Sequence, residues 1–182
     1  MPNLNAKRST LDAQRGFTLV EVLVTVAIIS LLSAIGLQSF QAAQGRARDS
    51  KRKSDLRDLQ KAIQLYYQDN KSYPVTSTTS VVWYGSEPGN LYSDNGGNWI
   101  PGLVSGGYIP QLPRDPKGGF STNPWGNCTG LKRSYLYYSN GIDYKLLSYC
   151  APEGTLDPLD AFYDPTRGPS TWQISTDAAR NW

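Results

Sequence analysis

Histidine is absent from this sequence. That removes the side chain most used as a general base near neutral pH and as a metal ligand. Cysteine is nearly absent too, with only Cys128 and Cys150. Two thiols fall short of the roughly four ligands of a structural zinc site and suit one disulfide, which favours an oxidising compartment. No G-x-S-x-G elbow and no glycine-rich phosphate loop occurs. Asp157 and Asp160 are the nearest thing to an acid–base pair, and solvated turns contain such pairs routinely. The expected class is therefore not an enzyme. Net charge is small as well, +3 over 182 residues, so bulk charge points to no nucleic-acid footprint.

What the chain does have is a long uncharged run with one exception. Residues 1–16 are polar and basic, with Lys7, Arg8 and Arg15 against Asp12. The apolar stretch Phe17 to Leu37 follows, about 31 Å long as a helix, close to the hydrocarbon thickness of a bilayer. It contains one charge, Glu21. A carboxylate at a bilayer centre costs on the order of 2.5–3.5 kcal/mol, so its presence asks for a function. No clear small-residue cleavage site follows the stretch, which reads as retained in the membrane. The basic start predicts a cytoplasmic N-terminus and an outward C-terminal domain. The second basic cluster, Arg46, Arg48, Lys51, Arg52 and Lys53, opposes a simple charge rule, whereas the cysteine pair supports it.

Helical periodicity continues beyond the apolar run. Leu56, Leu59, Ile63 and Tyr66 recur at spacings of three and four, a stripe suited to packing on a sheet. Arg48, Lys51, Arg52, Asp55 and Asp58 are expected on the solvated face. Asn70, with its tolerance of the left-handed conformation, and Pro74 predict the stop. Residues 71–125 read as a long connection with short candidate strands at Val81–Tyr84 and Trp99–Val104. The segment Ser134–Tyr149 predicts a hairpin, because tyrosine-rich runs flank Asn140-Gly141, a dipeptide suited to a two-residue type I′ turn. A Cys128–Cys150 bridge would clamp its open end. Thr171–Ser175 is a third candidate strand.

The stretch RGFTLVEVLVTVAIISLLSAIGL, Arg15 to Leu37, resembles the prepilin leader and N-terminal helix of type IV pilins and type II secretion pseudopilins. Gly16, Phe17, Thr18, Leu19 and Glu21 match its anchor positions. GYIPQLPRDP (107–116), NPWG (123–126) and the tyrosine-rich hairpin resemble later features of major pseudopilins. One departure is Gln38, where members commonly have proline. The resemblance implies an α+β pilin-like fold, a long N-terminal helix packed on a small antiparallel sheet. It divides the chain into a removed leader (1–16), a transmembrane and assembly half-helix (17–37), an amphipathic half-helix (38–70) and a globular head (71–182). It implies cleavage by a prepilin peptidase between Gly16 and Phe17, N-methylation of Phe17, and assembly through Phe17 and Glu21. Small residues Ala27, Ser30, Ser33, Ala34 and Gly36 would let neighbouring helices approach.

The expected partners are copies of the same subunit, the peptidase, the membrane and an assembly platform. The expected location is the inner membrane, then a cell-surface or periplasmic filament. Some major pseudopilins bind calcium in a C-terminal loop. Asp157, Asp160, Asp164 and Asp177 are candidate ligands, although turn chemistry also accounts for them; otherwise no cofactor is expected. The alternatives are a secretion pseudopilin, a minor pilin of a DNA-uptake pilus and, outside the class, a signal-anchored extracytoplasmic domain.

Overall fold

The computed structural model describes residues 16–77, 80–87, 95–122, 128–154 and 156–182. Two units are distinguished, Met1–Gln41 and Ala42–Trp182. The elements in chain order are α1 (Leu19–Asn70), β1 (Tyr84–Gly85), β2 (Ser134–Ser139), β3 (Tyr144–Tyr149) and β4 (Thr171–Ser175).

No proline interrupts residues 3–73, so the backbone donors needed for 52 residues of continuous helix are all present. In the first unit, every described side chain from Phe17 to Phe40 is exposed, Leu19 at 75% and Leu31 at 66%. An unburied aliphatic surface of this extent requires lipid or other helices as its solvent. The helix end differs from the sequence expectation by one position. Lys71, not Asn70, takes the left-handed conformation, at φ 57°. Asn70 remains helical and its Nδ2 donates to the Tyr66 carbonyl at 2.9 Å, satisfying a C-terminal acceptor that the helix leaves open.

The second unit is an α+β arrangement. Four antiparallel strands lie in the order β1-β2-β3-β4. Leu56, Leu59, Ala62 and Ile63 are buried against Tyr135 and Tyr137 of β2, Tyr144 and Leu146 of β3 and Trp172 of β4. Alternation along the strands places those side chains on one face. Leu136 and Leu147 lie on the opposite face and are also buried. Covering both faces explains why β2 is buried throughout.

Three local expectations are corrected. Trp99–Val104 is not a strand. It is a run of turns, with Gly106 N–H donating to the Gly102 carbonyl at 2.9 Å and Gly102 at φ 79°. Trp99, Ile100 and Leu103 still reach the core, from a chain that coils instead of extending. Of Val81–Tyr84, only Tyr84 enters a strand. The hairpin loop holds four residues, because Ser139 pairs with Tyr144. Asn140 Oδ1 accepts from the N–H groups of Ile142 and Asp143 at 3.0 and 2.8 Å. That side-chain turn leaves only Gly141 at positive φ, whereas a type I′ turn needs two such residues.

Candidate functional site

Helix α1 begins with a reciprocal cap. Thr18 precedes the first helical residue, and Glu21 occupies the third helical position. Thr18 N–H and Thr18 Oγ1 each donate to Glu21 Oε2 at 2.8 Å, and Glu21 N–H donates back to Thr18 Oγ1 at 3.2 Å. Such a capping box satisfies two of the donors that a helix start leaves open. The spacing Thr-x-x-Glu is visible in the sequence and is the signal for it. Glu21 also sits where the helix macrodipole favours negative charge. Among the described residues, Oε1 has no hydrogen-bond partner, so one carboxylate oxygen stays available. Phe17 is 88% exposed. The leader apart from Gly16 lies outside the described residues.

Further along the same helix the hydroxyls of Thr25 and Ser30 are satisfied internally. Thr25 Oγ1 donates to the Val22 carbonyl at 2.9 Å, and Ser30 Oγ to the Val26 carbonyl at 2.7 Å. Hydroxyls bonded to their own helix ask nothing of a lipid or a packed neighbour.

In the second unit the basic cluster departs from expectation. Arg52 and Asp55 are buried, at 0% and 4% exposure, and Arg48 is half-buried. Arg52 makes two parallel bonds to Asp115, from Nε to Oδ2 at 2.7 Å and from Nη2 to Oδ1 at 3.0 Å. Its Nη1 reaches Asp49 at 2.7 Å and Glu153 at 3.0 Å. Glu153 also accepts from Arg48 Nε at 2.6 Å and Lys117 Nζ at 2.8 Å. Three cations thus face three carboxylates. Burial alone disfavours the Arg52 charge, yet Asp115, Glu153 and Asp49 hold the guanidinium above its ordinary range. Burial alone would raise the Glu153 carboxyl, but Arg48, Lys117 and Arg52 hold it down at about 2. Asp55 is reached by Lys51 and by the buried Tyr135 hydroxyl at 2.8 Å. The cluster joins α1 to the Arg114-Asp115-Pro116 turn and to the segment after the disulfide. Arg48 and Arg52 are consumed by carboxylates, and Lys51 and Lys53 are paired with Asp55 and Asp160, which leaves little of this stripe beyond the exposed Arg46 for phosphate contacts. Arg133 is likewise buried, donating to the Gly118 and Phe120 carbonyls.

Cys128 and Cys150 are joined as a disulfide, with Cα atoms 5.4 Å apart.

The four C-terminal aspartates do not come together as a calcium site. Asp157 Oδ1 accepts from the Leu159 N–H at 2.9 Å in a turn. Asp160 pairs with Lys53 and accepts from the Phe162 N–H. Asp164, 0% exposed, holds Lys145 Nζ at 3.1 Å and Arg167 at 3.0 Å. Asp177 is exposed, its carbonyl accepting from the Arg180 N–H at 3.3 Å. Among the described residues, no group of three or more acidic, cysteine or histidine side chains could hold a metal ion. The buried Lys145 ammonium instead bonds the Asp164 carboxylate and the carbonyls of Arg180 and Trp182, at 2.9 and 3.0 Å. Carboxylate and carbonyl oxygens there already serve a cation from the chain itself.

Comparison with known proteins extends these observations. Residues 11–37 match the family model described as a prokaryotic N-terminal methylation motif. The chain is 28% identical to type II secretion system core protein G of Klebsiella pneumoniae over 172 residues, 94% of this chain and 96% of that protein. It is 32% identical to the protein of the same name from Escherichia coli (strain K12), over 82% of this chain and 89% of the relative. The relative from Pseudomonas aeruginosa is 30% identical over 72% of this chain and 86% of its own length. No solved structure matches the chain.

Proposed function

Because the chain belongs to the family of type II secretion system core protein G, pilin-like pseudopilins, we propose that it is a structural subunit of a secretion pseudopilus. The subunit is held in the inner membrane by the apolar half of α1. A prepilin peptidase removes residues 1–16, the Phe17 amine is methylated, and the helix then polymerises into a periplasmic filament. The observation that carries this reading is the pairing of two features. The similarity extends over the head as well as the motif, and the apolar half of α1 is exposed along its described length with a carboxylate at its start.

Cleavage after Gly16 would create an ammonium at Phe17, four residues from Glu21. A lone charge in hydrocarbon is strongly unfavourable, whereas an ion pair there is tolerated. An incoming subunit whose Phe17 ammonium meets the Glu21 carboxylate of a neighbour neutralises both. The cap supports this role physically. It uses Thr18, which survives cleavage, and it spends Oε2 while Oε1 stays open. Glu21 then acts as a register device, because a subunit displaced along the bundle would leave both charges unpaired.

The alternatives, a cell-surface pilus or a DNA-uptake pilus, predict different losses. Deleting this chain's gene should leave exported proteins trapped in the periplasm while twitching and transformation remain intact. Normal secretion with lost twitching or transformation would overturn the pseudopilus assignment.

A further inference from the structure

Strand β4 is the edge of the sheet, and its outer side is only partly covered. The Thr176 N–H donates to the Tyr144 carbonyl at 3.2 Å. With Ser175 opposite Lys145 in the register, alternation points the main-chain groups of residues 172 and 174 toward β3 and those of 171, 173 and 175 outward. The returning chain covers the first of these. Asp164 N–H reaches the Thr171 carbonyl at 3.4 Å, and Gln173 N–H reaches the Phe162 carbonyl at 2.6 Å. There the cover ends. Among the described residues, the Gln173 carbonyl and the N–H and carbonyl of Ser175 meet no backbone partner. An uncovered edge is a template for another strand.

An open groove of about 310 Å³ lies at that end, and Arg57 and Arg180 line it together with Phe162, Ile174 and Ser175. The Arg57 guanidinium lies 5.1 Å from the centre of the Phe162 ring, so its position is set by stacking. The Arg180 backbone is held by Lys145 Nζ. Among the described residues, neither guanidinium is in a direct ion pair, whereas Arg48, Arg52, Arg114 and Arg167 all are; Arg57 only helps to hold the Asp160 carboxyl below its ordinary range from a distance. Asp160, on the same side, is taken by Lys53.

We propose that the open end of the β4 edge is a docking site for an extended acidic segment of a partner polypeptide. The segment adds a short strand along Gln173–Ser175 and places carboxylates on Arg57 and Arg180. Backbone pairing supplies affinity and the two charged bonds supply selectivity. A second copy of this chain does not offer such a segment among its described residues. Asp49, Asp55, Asp58, Glu87, Asp115, Glu153, Asp160 and Asp164 are in ion pairs, Glu21 and Asp69 are in the helix, and Asp143, Asp157 and Asp177 lie in turns and loops. The inference does not depend on which filament the chain builds.

The test uses the full chain in detergent and a fluorescent capped peptide of four Thr-Glu repeats. Controls are a Thr-Gln peptide and free glutarate. The Thr-Glu peptide should bind in low salt, and the double substitution R57Q/R180Q should weaken it at least tenfold. Ser175→Pro removes an outward N–H without touching the β3 ladder and should weaken it similarly, provided that circular dichroism shows an unchanged fold. If Ser175→Pro does not fold, the surface pair R57Q/R180Q decides alone. Equal binding of the Thr-Gln peptide, or unchanged affinity in R57Q/R180Q, overturns the site. Displacement by glutarate at the peptide's own concentration overturns the strand and leaves an anion pocket. Self-association of the chain that disappears in R57Q/R180Q without any peptide overturns the choice of occupant.

Discussion

Arg52 and Asp115, 63 residues apart in sequence, meet through two parallel hydrogen bonds of 2.7 and 3.0 Å, and neither side chain is exposed. One end of the pair is on α1 and the other is in the turn that leads to the glycine pair Gly118-Gly119. The bond therefore fixes where a long connection crosses the helix. Asp115 also accepts from the N–H groups of Lys117 and Gly118 at 3.0 Å each, so the turn and the pair are built together.

Removing one partner should be severe, because the other is left charged and buried. Arg52→Ala is expected to destabilise the head by about 3–5 kcal/mol. Arg52→Lys should recover only part of this, since an ammonium cannot make the planar two-bonded contact. Denaturant unfolding followed by the fluorescence of buried Trp99 and Trp172 measures both. A double-mutant cycle with Asp115→Ala should give a loss smaller than the sum of the two single losses.

Acid should act through the same cluster. Glu153 is held at about 2 against an ordinary 4.5. A depressed carboxyl contributes its stability in full above the unfolded value and loses it as pH falls through the folded one. The melting temperature should therefore fall between pH 4.5 and 2. On the alkaline side, burial beside Tyr73 raises Tyr144 from 10.0 to about 12. The unfolded phenol ionises first, so stability should decline as pH rises from 10 to 12. Tyr144→Phe should make that alkaline limb shallower, because burial raises the Tyr135 and Tyr137 phenols as well and they supply the rest of the slope, and should leave the acid limb unchanged.

Thr18 and Glu21 separate capping from charge. Thr18→Ala removes the cap and costs about 1 kcal/mol of helix stability, but leaves the carboxylate. Glu21→Gln keeps an acceptor for Thr18 and removes the charge. Filament yield in a sheared or sedimented fraction should survive the first change and drop at least tenfold with the second.

The Cys128–Cys150 bridge closes a loop of sequence separation 22. Its loss should destabilise the head by roughly 3 kcal/mol by the chain-entropy argument. Comparing unfolding midpoints of the oxidised protein and a Cys128→Ser/Cys150→Ser variant checks this.

Features written in local chemistry were legible in the sequence. The stripe Leu56, Leu59, Ile63 has helical spacing and is buried. The tyrosine runs around Asn140 form β2 and β3, Thr171–Ser175 forms β4, and the two cysteines pair. Glu21 announced itself because a charge in an apolar run is costly wherever it occurs. Features set by distant partners were not legible. Arg52 reads as one of several exposed charges on a periodic helix, and only Asp115 and Glu153, distant in sequence, make its burial tolerable. Trp99–Val104 has strand-like apolar content, but Gly102 at positive φ and the Gly106–Gly102 hydrogen bond coil it. The four aspartates of the tail share a chemistry suited to calcium. Lys53, Lys145 and Arg167 reach two of them first, and no spacing rule contains that outcome.

The most direct measurement is mass spectrometry of the N-terminal peptide from filaments isolated from cells that produce the native chain. The account predicts a peptide that begins at Phe17, carries an added methyl group on its amine, and sediments with the filament. Protein that stays in the membrane with Met1–Gly16 attached, in cells where the prepilin peptidase is active, would contradict it and leave a signal-anchored domain in its place.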